Sequence, residues 1–531
     1  MATQKLTGGE ALVVGLQTHG VEVVFGIPGT HNLPIYAGLA RFGLRHVATR
    51  HEQGAGFAAD GWARVTGRPG VCITTTGPAL LNAATAAVQA YSDSVPMLLV
   101  SPGLPLTHPA LGNGYLHEVK SQCAAFDALV AYSHRVTSIE EIPLAVAVAF
   151  ASMATGRPRP VHLEIPLDLL AETANVGAMA PLRPALASPE PDQVAVAVEA
   201  LSGAQRPLIL VGGGAGAAAG EVLRLAERLG APVVTSTNGK GTFPDGHPLA
   251  IGACLSYAAV RDLEIESDVI LAIATELAPS DLWDTPLAIT GTLIRIDIDA
   301  ASISTNATAD VAIIADSRLA LQEILARMPD GAPASGAHAR ALAARTRFVA
   351  QARVEGGPWL GIVEALGQCL GRRGILAGDS TMACYFGALP NLPSYEPRSF
   401  LYPTGLGTLG YGLPAAIGAK IARPDAPVVA LLGDGGVMFT IAELHAAAQL
   451  RLPLPVIVVD NGGYGEIRRE MVARNDSVQA VDFDAPDFAA LARALGCHGV
   501  RVDDERGLAQ ELNKALGVDR PTLLHVREGA S

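Results

Sequence analysis

Cysteine is scarce and scattered: six in 531 residues, at positions 72, 123, 254, 369, 384 and 497. No two form a CxxC pair and none has zinc-ligand spacing, a pattern that fits a reducing cytosol better than a disulfide scaffold. Long hydrophobic runs are missing too. No stretch approaches the ~18 uninterrupted apolar residues of a membrane span, and the start, MATQKLTGGEALVVGLQTHG, has no signal-peptide core. The expected location is cytoplasmic, with no membrane partner. Positive charge is short: 38 Lys+Arg against 51 Asp+Glu leave a formal net charge of −13, which argues against a general nucleic-acid binder. An anionic substrate would therefore need a local cationic or hydrogen-bonding site.

What is present is apolar and glycine-rich. With 49% hydrophobic residues, 17% charged and 57 glycines, the chain reads as well-packed α/β rather than disordered. Its length exceeds one core and suggests about three or four domains of ~100–200 residues. Two stretches rich in proline and small residues, APLRPALASPEPDQ (180–193) and ARMPDGAPASGAHAR (326–340), read as linkers. They divide the chain into 1–180, 190–330 and 350–531. Each third alternates short β-branched runs with longer Ala/Leu-rich amphipathic runs, as in PVVALLGDGG, IAELHAAAQLRL and LPVIVVDN. Strand, helix, strand in that order predicts three doubly wound, parallel-sheet α/β domains. Ligands of such sheets bind beyond the carboxyl ends of the strands.

Two strand ends carry unusual chemistry. PVVALL runs into Gly433-Asp434-Gly435-Gly436, and 27 positions after Asp434 the run VIVVD ends in Asn461-Gly462-Gly463-Tyr464-Gly465. One carboxylate, one amide oxygen and one peptide carbonyl form a sparse, oxygen-only set, the kind magnesium uses when phosphates complete its octahedron. The glycines let backbone N–H groups approach an anion as the next helix starts. Each half alone is also an ordinary turn; the pair, correctly spaced, predicts a magnesium–diphosphate anchor.

GDGG…DNGGYG resembles the cofactor motif of thiamine diphosphate (ThDP)-dependent enzymes. The resemblance covers almost the whole chain. FGIPGTHNLPIY (25–36), RHEQGAGFAADGWAR (50–64), TTGPALLNAATAAVQAYSDSVPMLLVS (75–101) and RPRPVHLEIPLDLL (157–170) are similar to the pyrimidine-binding domain of the acetohydroxyacid synthase and 2-oxo acid decarboxylase group. GTLGYGLPAAIGAKIA (407–422) is similar to the segment before GDG. By position the resemblance implies Mg2+ ligands at Asp434, Asn461 and the Gly463 carbonyl, and Glu52 as the carboxyl that activates the aminopyrimidine. It implies further cofactor contacts at Pro28, Gly29, Pro78, Asn82, Ser380, Thr381, Gly407, Leu409, Gly433, Gly435, Gly436, Tyr464 and Gly465, with Leu409 as the apolar wedge beneath the cofactor. Ser380 and Thr381 would equally suit a helix cap. Ala79 departs from the usual TGPG, Met382 from a polar residue, and Asp460 from the first Asn of the motif. The resemblance also implies a homodimer at minimum, and a homotetramer as the expected assembly, with Glu52 of one chain serving the cofactor of another. The middle third, LVGGGAG (210–216), reads as Rossmann-like; HPLAIGACLSYAAV (247–260) lacks the Met-His-Gly turn of FAD-binding synthases, so no FAD is expected.

The implied reaction is non-oxidative decarboxylation of a small 2-oxo acid, ending in an aldehyde or, with a second carbonyl, a 2-hydroxy ketone. His31 and His117, the latter where synthases carry Gln, are candidate proton donors and substrate contacts, although lone histidines are often structural. Glu466, just past the metal motif, would grip a cationic tail such as a guanidinium or simply favour a helix N-terminus. The pattern is closest to 5-guanidino-2-oxopentanoate decarboxylases. An acetolactate synthase-type transferase and a catalytically silent regulatory subunit are the alternatives. Intact Glu52, Asp434 and Asn461 count against the silent one.

Overall fold

The computed structural model describes residues 3–109, 112–177, 179–283, 286–329, 336–503 and 505–528. Part of the second expected linker, 330–335, lies outside the described residues. Of the first, 180–190 is coil and the helix Pro191–Gly203 begins within it.

Three six-stranded sheets, every neighbouring pair parallel, follow one another along the chain, as the alternating runs predict. In the first sheet the order across is Arg45–Ala48, Val23–Gly26, Gly70–Ile73, Met97–Gly103, Val161–Pro166, Ser133–Arg135. Numbered within the sheet this is 2-1-3-4-6-5. The third sheet repeats it: Phe400–Leu401, Ile375–Gly378, Val428–Gly433, Pro455–Asp460, Thr522–Arg527, His498–Val502. The middle sheet is 3-2-1-4-5-6, from Ala250–Ala253 through Pro207–Val211 to Val311–Ile314. A short antiparallel pair, Thr3–Thr7 with Thr173–Gly177, ties the first domain's ends together.

Burial explains why the central strands contain almost nothing but aliphatics. Val428 to Leu432 are fully buried, as are Val456, Ile457 and Val458; at ~1.5–3 kcal/mol for each buried Val, Ile or Leu, such strands carry much of the domain's stability. The strand order also locates the site. In both outer sheets the direction of winding reverses between the first and third strands, and that crevice is where open α/β sheets bind ligands. Pro28-Gly29 and Gly77-Pro78 follow those two strands in the first sheet; Ser380-Thr381 and Asp434 follow them in the third.

The chain forms two compact units. One comprises residues 1–185, 406–424 and 440–452, the other 186–405, 425–439 and 453–531. The helix Gly412–Ala422 therefore belongs with the first sheet, because it packs along the helix Glu52–Thr66. A Cβ on Gly61 would collide with the carbonyl of Ala415, and one on Gly418 with that of Ala58. Only glycine allows this approach of the two backbones.

Candidate functional site

In the second unit the strand Val428–Gly433 delivers Asp434 to the carboxyl edge, where it is 1% exposed. Its Oδ1 accepts from the N–H of Gly435 (3.0 Å) and its Oδ2 from the N–H of Gly463 (2.8 Å), so the two motif halves meet at this carboxylate. Burial, with the charge of Asp460 adding, pushes the Asp434 carboxyl up to about 6 against those N–H bonds. Among the described residues no cationic side chain forms an ion pair with it. Beside it Asn461 Oδ1 is buried and has no hydrogen-bond partner among the described residues. A buried amide oxygen left unpaired is costly; a metal ligand bond would satisfy it. Asp460, in the place of an expected Asn, turns the other way: its Oδ2 lies 2.8 Å from His525 Nε2 and its Oδ1 accepts from Gly462 N–H (3.1 Å). Thr381 sits against Gly433, and Asp379 holds the Ser380 N–H at 2.8 Å. Neither Ser380 nor Thr381 caps the following helix, whose N-cap is Met382.

In the first unit Glu52 is the first residue of Glu52–Thr66, with His51 as N-cap accepting from Gln53 N–H. Asn82 Nδ2 donates to Glu52 Oε2 at 3.0 Å. The peptide N–H groups just before Glu52, those of Arg50 and His51, are both held by Glu443 Oε1 at 2.9 Å. Glu443, which the sequence reading missed, thus positions the start of the Glu52 helix. It is fully buried, and burial, with the charge of Glu52 adding, pushes its carboxyl up to about 7 despite the N–H donors and the charge of Arg50. A carboxyl easier to protonate folded than unfolded stabilises the fold below its unfolded value, and that contribution is lost as pH rises through about 7. A displacement from 4.5 to about 7 corresponds to ~3 kcal/mol at ~1.36 kcal/mol per pH unit. Glu443→Gln, which keeps an acceptor for the two N–H groups, should therefore flatten the stability profile between pH 4.5 and 7 in urea unfolding. Parallel wild-type and variant profiles would count against it.

Leu409 is half-buried and Gly407 exposed, in a segment anchored by Thr440 Oγ1 donating to the Gly410 carbonyl (2.8 Å). Tyr411 is wholly buried and donates to Asp60 Oδ1 at 2.6 Å; Arg64 bridges Asp60 and Asp93, each at 2.6 Å. This buried set ties the segment that follows Leu409 to the Glu52 helix. Its signal in the sequence was an acid and a base four residues apart within an Ala/Gly-rich helix.

The structure brings His31 and His117 together, ring centroids 5.1 Å apart, with both Nδ1 atoms buried and unpartnered among the described residues. Burial, with His117 beside it, lowers the His31 pKa and so disfavours the charged ring. The His117 carbonyl lies against Gly77, whose φ of +67° and lack of a side chain are both required there. A second network missed from sequence holds this turn. Gly77 N–H donates to Gln122 (3.0 Å), Gln122 Nε2 to Ser101 Oγ (3.2 Å), and Ser101 and Ser133 flank the two nitrogens of His162 at 2.8 and 2.6 Å. Burial pushes His162 down to about 3, so it is a neutral tether. Pro78 and Asn82 follow directly from the turn it fixes.

Glu466 lies in the first turn of the helix Gly465–Ala473, as the favourable-terminus reading expects. It is not free: Arg469 pairs with its Oε1 at 2.5 Å.

Two switch-point crevices, a buried carboxylate at one strand end with an unsatisfied amide oxygen at the next, and a glutamate that opens a helix and is held by an asparagine are the pattern of a thiamine diphosphate enzyme. The chain belongs to the thiamine pyrophosphate enzymes: the family's N-terminal TPP binding domain matches residues 6–124, its central domain 194–324 and its C-terminal TPP binding domain 377–526. Among individual proteins, it is 42% identical to the "Probable 2-ketoarginine decarboxylase AruI" of Pseudomonas aeruginosa, over all of this chain and 96% of that protein. It is 32% identical to an "Acetolactate synthase" of Arthrospira platensis, over 99% of this chain and 95% of that one. A "Probable acetolactate synthase large subunit" of Methanococcus aeolicus is 31% identical, over 98% and 91%. Among the described residues no helix is long and apolar enough to cross a membrane.

Proposed function

We propose that this protein is a ThDP- and magnesium-dependent decarboxylase of a 2-oxo acid bearing a guanidinium tail, of the 5-guanidino-2-oxopentanoate kind. The observation that carries the reading is the His31–His117 pair: two imidazoles side by side with unpartnered ring nitrogens, beside the turn that bears Pro78 and Asn82. Such nitrogens suit proton delivery to a carbon that has just lost CO2. The 42% identity to a protein described as a 2-ketoarginine decarboxylase supports the substrate class. Bound thiamine diphosphate supplies the nucleophilic carbon and the electron sink. The chain's residues do the rest. Asp434, Asn461 and the Gly463 carbonyl would hold Mg2+, whose shell diphosphate and water complete; among the described residues no group of three His, Cys, Asp or Glu offers an alternative cage. Gly433, Gly435, Gly436, Ser380, Thr381, Tyr464 and Gly465 would line the diphosphate, and Gly407 and Leu409 the heterocycle. Glu52 would hold the activating proton on the aminopyrimidine of a partner chain's cofactor, which requires a homodimer at least. Glu466 would pair with the guanidinium.

Protonation gives an aldehyde. Capture of a second carbonyl would give the acetolactate-type product, and the identity of 31–34% to several acetolactate synthases makes that the second reading. Incubation with ThDP, Mg2+ and a panel of 2-oxo acids, with CO2 followed and products identified by mass, separates them. The expected result is 4-guanidinobutanal from the guanidino acid and little turnover of pyruvate; acetolactate as the main product would reverse the order. In the same assay Glu466→Gln is expected to lower the preference for cationic over neutral acids by roughly 10–100-fold, the worth of one charge-assisted hydrogen bond. An unchanged preference would remove the assigned role.

A further inference from the structure

Glu466 has two polar neighbours, the Arg469 guanidinium and the Tyr385 hydroxyl, and one of its oxygens is left over. Arg469 Nη2 meets Oε1 at 2.5 Å, while Oε2 is buried with no hydrogen-bond partner among the described residues. The Arg469 guanidinium carbon lies 4.5 Å from the centroid of Phe386. That ring is the centre of an aromatic group, with Tyr385 at 4.7 Å and Trp283 at 5.3 Å. The adjacent arginine, Arg468, is engaged elsewhere, with Asp482. A carboxylate and an aromatic face at one spot are the two elements that recognise a guanidinium. Here the chain's own guanidinium fills them, from a side chain about half exposed and one helical turn away. Arg469 brings one prong of its fork to one carboxylate oxygen. A guanidinium arriving on a free tail can bring both.

We infer that Arg469 is a built-in stand-in for the substrate's guanidinium: it covers Glu466 and Phe386 in the free enzyme and swings into solvent when the tail of a guanidino 2-oxo acid takes both partners. The inference rests on the cationic-substrate reading above. It makes the tail site a competition between two guanidinium groups, so that apparent affinity is reduced by the fraction of molecules in which Arg469 is displaced. Neutral acids gain nothing from the exchange, which turns an exposed helix pair into a specificity element.

The test uses the full-length holoenzyme and propylguanidinium, a tail without the oxo acid, titrated while Trp283 fluorescence is followed. Arg469→Ala, and Arg469→Gln as a second variant that keeps helix propensity, should tighten propylguanidinium by roughly threefold to tenfold. They should lower KM for the guanidino acid in proportion while leaving KM for 2-oxopentanoate, the neutral analogue of equal chain length, no lower. Weaker or unchanged binding in both variants, with wild type still turning over the guanidino acid, overturns the stand-in and leaves the substrate reading intact. If wild type and variants alike neither bind propylguanidinium nor decarboxylate the guanidino acid, the substrate reading itself fails and takes the inference with it.

Discussion

Glu52→Gln should bind ThDP within a few-fold of wild type, yet slow exchange of the cofactor's C2 proton, and turnover with it, by roughly 10²–10⁴-fold. The separation follows from where Glu52 stands. It opens a helix whose N-cap, His51, and whose preceding N–H groups are fixed by other residues, so the amide replacement leaves the backbone in place. Asn82, which donates to Glu52 Oε2, can donate to a glutamine oxygen equally well. What the substitution removes is the ability to share a proton with the aminopyrimidine nitrogen. Exchange followed by NMR after acid quench, together with ThDP titration, reads the two effects separately. Undiminished exchange would assign the activation to another group, with Glu443 the first candidate because it lies beside the same segment.

Asp434→Ala should abolish metal-dependent cofactor retention, weakening ThDP in the presence of Mg2+ by at least ~100-fold. A cofactor that saturates wild type 100-fold above its Kd stabilises it by ~2.7 kcal/mol, and the variant should lose that increment. The apo protein should behave in the opposite way. A carboxyl 1% exposed, pushed up to about 6 by burial and by Asp460, burdens the fold when it ionises, so the conservative Asp434→Asn should melt no lower than wild type without ligand. Melting curves with and without ThDP and Mg2+ measure both. A cofactor-induced shift surviving in both variants would move the anchor away from this strand end. A large apo destabilisation would mean that the carboxylate serves the fold first, through its bonds to Gly435 and Gly463.

The fold was legible because parallel strands covered by helices on both faces must be aliphatic throughout, and the runs VVALL and VIVV can be little else. Asp434, Asn461 and Glu52 stood out for the complementary reason: each is an oxygen-bearing polar side chain placed where strand and helix ends meet, among glycines. His31 and His117, 86 positions apart in the chain, were separate suspicions that the folded structure placed side by side. Glu443 gave no local sign. Its neighbours read as an amphipathic helix, and its task depends on N–H groups nearly 400 residues away in sequence. The same holds for the tether from Gln122 through Ser101 to His162, which crosses three strands' worth of chain, and for the arginine covering Glu466, whose aromatic platform comes from a distant helix.

Sequence by itself therefore determined the class of fold and the family and singled out candidate site residues by motif, since local glycine spacing and strand-end acids are properties of short segments. Only the tertiary structure decided which polar groups are buried without partners, which helices approach closely enough to share hydrogen bonds, and which charges already neutralise each other. Burial and pairing arise from surfaces brought together across hundreds of residues, and they set both the energy of a charge and its availability to a ligand.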